Sequence, residues 1–205
     1  MPVHPTLQLI ENRASINHFD DGHQLDDATI TALVNLATRA PSAYNLQNWR
    51  FIAVRSTGNK TRLRALAFEQ SKVADASVCF IICGRNPDAS SLPALLQPAV
   101  DAGSIPAGVP LTWQTAARTS YANPVHARDE VIRSASLAAG FLMLAAEAMG
   151  LASAPMTGFD TEGVCRAFGL SPDEIPVILL AVGKAGHGNA PQKPRRPVSE
   201  VLDLA

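Results

Sequence analysis

Residues Ser134–Gly150 read SASLAAGFLMLAAEAMG, with no charged side chain between Arg133 and Glu147. With its polar lead-in from His126, this stretch predicts a helix over 126–149 that is wet at its start and then apolar or small nearly all round. Such a helix has no broad face to offer water, so it must be covered on several sides. Gly150 is a suitable residue to stop it. Gly140, beside Ala138 and Ala139, costs helix propensity but lets another helix approach closely. The fold is therefore built around one buried central helix, and the rest of the chain has to supply what covers it.

The flanking sequence supplies both helices and strands. Leu7–Asn12 suits a short helix. Asp26 or Asp27 caps a helix running to about Thr38, with Ile30, Leu33, Val34 and Ala37 at helical spacing. Trp49–Arg55 (WRFIAVR) alternates as a strand, Lys60–Ser71 reads as a helix, and Val78–Cys83 (VCFIIC) reads as a buried strand. Beyond the central helix come a short strand near Ala152–Met156, a helix near Thr161–Phe168 and a strand at Val177–Val182. Residues 86–124 are rich in proline and scattered polar groups, and read as a mobile excursion with some helix. Together these suggest one domain over 1–205, an α+β or α/β sandwich.

Composition removes several classes of function. A net charge of −1 offers no general attraction for nucleic acid or an anionic membrane. The N-terminus, MPVHPTLQLIENR, lacks the basic and apolar segments of a secretory signal. The uncharged part of the central helix is shorter than the roughly 20 residues a bilayer span requires. Cys79 and Cys83 share one face of their strand and read as small buried hydrophobes, since no further cluster completes a metal site. Free thiols suit a reducing, cytoplasmic setting. There is no Gly-rich dinucleotide turn, no phosphate-loop lysine and no Gly-x-Ser-x-Gly elbow.

Several polar segments interrupt the apolar pattern. In Arg13-Ala14-Ser15-Ile16-Asn17, an extended backbone would present Arg13, Ser15 and Asn17 from one side, which suits a phosphate or equally a solvated edge. Arg39–Trp49 (RAPSAYNLQNW) places Ser42, Asn45 and Gln47 before a strand, where they could bracket a planar heterocycle or form an ordinary loop. Lys72 stands three residues before Asp75, as a surface charge or facing an anionic ring. Pro155-Met156-Thr157-Gly158 includes a glycine that permits close backbone approach. The basic tail Lys193-Pro194-Arg195 could add cations to a phosphate site or simply be solvated. Anion and ring contacts without an acid, base or nucleophile constellation suggest chemistry carried by a cofactor.

In their order along the chain these segments resemble the nitroreductase family of flavoproteins: RASINHF, APSAYNLQNW, KVADAS, GLASAPMTGF and KPRRP. The resemblance covers nearly the whole chain. It implies an α+β fold with a central mixed or antiparallel sheet flanked by helices, in a homodimer with FMN at the subunit interface and NADH or NADPH as co-substrate. By this similarity Arg13, Ser15, Lys193 and Arg195 hold the phosphate and ribityl end, and Ala14 contributes its backbone. Lys72 faces the polar edge of the isoalloxazine, and Pro155, Met156, Thr157 and Gly158 line the ring. Pro41, Ser42, Ala43 and Asn45 reach over from the second subunit, and the long helix through Gly140 lies in the dimer interface. Two positions depart from the pattern: Asn17 stands where the family has a third cation, and Thr157 where some members carry Glu.

The activity implied is ping-pong hydride transfer to small electron-poor acceptors such as quinones, nitroaromatics or enones, with residues 86–124 over the active site. Reductive dehalogenation, reduction of a specific metabolite, and flavin binding with little turnover are the alternatives. No metal, nucleic-acid or membrane partner is expected.

Overall fold

The structure, a computed structural model, describes residues 4–205, so the first three residues of the N-terminal reading lie outside it. Four strands, β1 (Trp49–Val54), β2 (Val78–Arg85), β3 (Ala152–Met156) and β4 (Glu174–Gly183), form one sheet in the order β1-β2-β4-β3. Every pairing between them is antiparallel, so the sheet is not mixed. β2 and β4 are central, and β2 is buried along all but its last residue. Strand periodicity divides their side chains between two cores. Cys79, Ile81, Leu179 and Ala181 pack on one face, and Val78, Phe80, Leu180 and Val182 on the other.

The first face is covered by α3 (Thr57–Leu66) and α8 (Thr161–Phe168), through Leu63 and Val164. The second is covered by α7 (Pro124–Ala148) and α2 (Asp27–Ala37). Asp26 caps α2 by accepting the Thr29 N–H at 2.8 Å, as its position before the periodic run predicts. In α7, Ala135, Ala138, Ala139, Leu142 and Ala146 are fully buried. Small side chains bring this helix close to the sheet. At Gly84 of β2, an added Cβ would lie 2.3 Å from the Val131 carbonyl oxygen, so only glycine fits there.

By length and composition α7 could cross a membrane, but its buried stripe packs on the protein's own strands. The expectation of burial on several sides is met in part: the sheet and α2 pack on α7, and part of its surface stays open. Leu137 is 45 % exposed and Phe141 39 %. Phe141 joins Leu144 and Ala148, with Leu9 and Ile10 of α1 (Pro5–Asn12) and Leu36 of α2, around an open apolar groove.

Other elements differ from the sequence reading for local reasons. The helix expected over 60–71 stops at Leu66, because Phe68 and Glu69 take left-handed backbone angles (φ 53° and 59°) and turn the chain. Lys72 then opens a single helical turn, α4 (Lys72–Asp75), just before β2. Residues 86–124 are largely helical: α5 (Leu92–Asp101) and α6 (Val109–Tyr121) pack through Leu92, Leu96 and Ala117. Pro93 and Pro110 sit in the first turns of these helices, where a missing N–H costs nothing.

Candidate active site

β3 is an edge strand, and the N-terminal segment runs along it. Ser15 bridges Ser153 in parallel fashion, with the Ile16 N–H donating to the Ser153 carbonyl at 3.3 Å. Phe19 bridges Ala185 just after β4. The tail beyond Gly186 returns over the same segment. Between these parts lies a cavity of about 360 Å³. Ala14–Asn17 form one wall, Ala154 and Pro155 of β3 another, and Ala190–Lys193 with Arg195 a third, while Lys72 enters from α4.

The lining carries Lys72, Lys193 and Arg195 and no carboxylate, in a chain whose net charge is −1. Ser15 adds a hydroxyl. The Lys72 ammonium donates to Asn17 Oδ1 at 3.3 Å, so this amide orients Lys72. Arg195 donates to the Lys193 carbonyl at 3.0 Å and to Gln192 Oε1 at 2.9 Å, which sets its guanidinium over the tail wall. Beside the cavity, Arg13 Nη1 and Ser153 Oγ are buried without a hydrogen-bond partner among the described residues. Such orphaned groups are costly unless an acceptor or donor from elsewhere meets them. Convergent cations, a hydroxyl and an unpartnered guanidinium nitrogen together suit a phosphate monoester.

The structure therefore brings together Ala14, Ser15, Asn17, Lys72, Pro155, Lys193 and Arg195 in one cavity. Arg13 flanks it. Met156 does not face it: strand alternation turns Met156 into the core beneath β3, where it is 5 % exposed. Thr157 and Gly158 are exposed beyond the strand end, and the Gly158 carbonyl accepts from Gln70 Nε2 at 2.9 Å. Pro41, Ser42, Ala43 and Asn45 lie in the connection between α2 and β1, outside the cavity lining. That connection is held tightly. Tyr44, Asn45 and Gln47 have left-handed φ values (54°, 57° and 48°), and Ser42 Oγ accepts the Gln47 N–H at 2.9 Å. Tyr44 packs edge-on against Trp113 and Tyr121 of α6, with ring centroids 6.0 and 6.2 Å apart.

Sequence reasoning missed Ala190, Pro191 and Gln192 as lining residues. Their proximity to KPRRP was the available signal. Another cavity, about 590 Å³ and lined mainly by α2 and β1, has Arg50 as its one charged liner and lacks the converging anion donors. The thiols of Cys79 and Cys83 are pushed up to about 12 by burial, so they are inert structural side chains. No group of three or more metal-ligating side chains occurs among the described residues.

Residues 10–184 match the model of the nitroreductase family. The chain belongs to that family. YodC of Bacillus subtilis strain 168, assigned as an NAD(P)H nitroreductase, is 33% identical over 199 residues, 96% of each chain. A protein of Thermus thermophilus named NADH dehydrogenase is 33% identical, with 98% of this chain and 97% of its own covered. Among solved structures, a protein of Exiguobacterium sibiricum in complex with FMN superposes with a TM-score of 0.89 at 28% identity. That match covers 100% of this nitroreductase-family chain and 99% of the other. The antiparallel sheet, the long helix and their connections are thus the family's fold.

Proposed function

We propose that this nitroreductase-family protein is an FMN-dependent NAD(P)H oxidoreductase, a homodimer that reduces small electron-poor molecules. The observation that carries the reading is the cavity at β3, where Lys72, Lys193 and Arg195 converge without a carboxylate. When bound, FMN would supply the chemistry for ping-pong hydride transfer between NADH or NADPH and an acceptor such as a quinone, nitroaromatic or enone. The protein's part is placement and electrostatics. Arg13, Ser15, Lys193 and Arg195 hold the phosphate and ribityl end, with Ala14 contributing backbone. Pro155 would line the ring, with the backbone of Thr157 and Gly158 beside it. Lys72, oriented by Asn17, places positive charge at the pyrimidine edge, where reduction adds negative charge. No side chain is required as acid or base.

The second subunit completes the site. Leu137 and Phe141 of α7, with Ile10 and Leu36, leave an apolar face that water disfavours, and a second copy covering it satisfies all four side chains. Pro41, Ser42, Ala43 and Asn45 then reach the partner's cavity. Since Tyr44 is packed against α6, residues 86–124 travel with that loop and cover the same opening. The three free cysteines suit the reducing cytoplasm.

The test is direct. The purified protein should be yellow and release FMN, near one per chain, on acid treatment. It should bleach with NADH or NADPH and recolour with a quinone or nitroaromatic. Bound flavin that no nicotinamide bleaches would mark a flavin carrier instead of an enzyme. A colourless chain that FMN cannot reconstitute would remove the reading altogether.

A further inference from the structure

The cations of the cavity sit on a tail with no regular structure of its own. From Gly186 to Pro197 the chain forms neither helix nor strand, yet Lys193 and Arg195 must be presented accurately to bind a phosphate. Two carboxamides fasten this tail to the N-terminal segment. Asn189 Oδ1 accepts the N–H groups of Asn17 and His18, each at 2.9 Å. Its Nδ2 donates to the carbonyls of His18 at 2.8 Å and Gly186 at 3.0 Å. The Asn189 amide thus uses two acceptor and two donor positions, the full capacity of the group. Gln192 repeats the device one step along. Its Nε2 donates to the Arg13 carbonyl at 2.6 Å, while its Oε1 accepts from Arg195 Nη2 at 2.9 Å.

Backbone contacts support the same closure. The Gly186 N–H donates to the His18 carbonyl at 2.9 Å, and an added Cβ at Gly186 would lie 2.9 Å from the Phe19 carbonyl. We infer that Asn189 and Gln192 are positioning residues, a carboxamide clamp that assembles the anion-binding end of the cavity from two chain segments more than 170 residues apart. Asn189 sets the backbone of Asn17 and His18. Gln192 sets the guanidinium of Arg195 and the backbone of Arg13, whose Nη1 lacks a partner among the described residues. The inference rests on reading this cavity as the FMN phosphate site.

Riboflavin carries the same ring and ribityl chain as FMN without the phosphate, so the pair isolates what the clamp does. Gln192→Leu keeps side-chain bulk, removes both hydrogen bonds and touches no helix or strand. FMN affinity should fall about tenfold, the worth of one charge-assisted hydrogen bond. Riboflavin affinity, titrated by fluorescence quenching in the flavin-stripped chain, should change less than about twofold. Equal losses for both flavins, or no loss for either, would overturn the role of Gln192.

Asn189 is tested without flavin. In the stripped full-length chain, the Asn17 and His18 amides should exchange slowly although both residues are exposed. They should exchange freely in Asn189→Ala, and unchanged protection there would overturn the clamp. If the wild-type chain itself binds riboflavin as tightly as FMN, the phosphate placement fails, while the exchange measurement still decides whether the clamp exists.

Discussion

In the sheet, Phe80, Ile81, Leu179 and Leu180 are fully buried, and each is held by apolar neighbours that ask only for volume and the right face of a strand. Burial of such a side chain contributes about 1.5–3 kcal/mol, and many neighbours share the task of excluding water. The cavity beside β3 is held differently. Its walls are an irregular tail and an extended segment, joined by single hydrogen bonds with assigned partners: Asn189 to Asn17 and His18, Gln192 to Arg13 and Arg195. The comparison separates stability from binding. Substitutions in the sheet should unfold the protein without selecting against a phosphate, and substitutions at the cavity should do the reverse.

The largest expected effect lies at the sheet end remote from that cavity. Glu174 opens β4 with its side chain 1 % exposed, and it pairs with Arg50 and Arg85, each at 2.8 Å. Burial opposes its ionisation, but the Ser171 N–H and the two guanidinium groups outweigh burial and hold the carboxyl down at about 2. Because the folded value lies below the ordinary 4.5, the contribution is complete above that pH and is lost as pH falls through about 2. Glu174→Gln should destabilise the protein by about 3 kcal/mol at neutral pH. Urea unfolding should show the wild type losing this advantage in acid while the variant changes less. Riboflavin and FMN should still be distinguished as before. A loss of that distinction would mean that the two regions are not separable.

The second effect is smaller and belongs to the cavity. Arg195 is exposed, and among the described residues it donates hydrogen bonds to the Lys193 carbonyl and Gln192. Arg195→Ala should weaken FMN by about 2 kcal/mol, roughly thirtyfold, with the urea midpoint unchanged. A falling midpoint would mark Arg195 as part of the fold.

The same division decides what could be read from the residues alone. Periodicity and caps locate α2, α7, β3 and α8 because each is a local pattern: Ala152–Met156 and Thr161–Phe168 fall where alternation and helical spacing place them. Prolines misled the reading of residues 86–124, since Pro93 and Pro110 begin helices there instead of breaking them. The motif residues Ser15, Lys72, Lys193 and Arg195 were legible through resemblance. Asn189 and Gln192 were not. A carboxamide in a loop has no period, and its meaning appears only when the tail folds back on residues 13–18. Met156 is a motif member whose side chain strand alternation commits to the core, which leaves its backbone as the part that can serve the site.

The smallest effect concerns Lys72, the one cavity cation that belongs to neither chain end. It stands on α4, half-buried, and its ammonium donates to Asn17 Oδ1 at 3.3 Å. Reduction of FMN adds negative charge at the pyrimidine edge, and an ammonium nearby favours the reduced state. A charge pair at 4 Å is worth about 1 kcal/mol in water and about 4 kcal/mol at an effective dielectric near 20. A half-exposed lysine lies toward the lower limit. Taking about 1.4 kcal/mol, Lys72→Met should move the midpoint potential of bound FMN about 30 mV more negative for a two-electron couple. The variant should keep most of its FMN affinity, because the phosphate end is untouched, and its urea midpoint should match the wild type. Asn17→Ala should shift the potential in the same direction but less, since it frees the ammonium without removing it. An unchanged potential in Lys72→Met would make Lys72 an ordinary surface charge. A shift in Lys72→Met with none in Asn17→Ala would leave the charge effective and the tether idle.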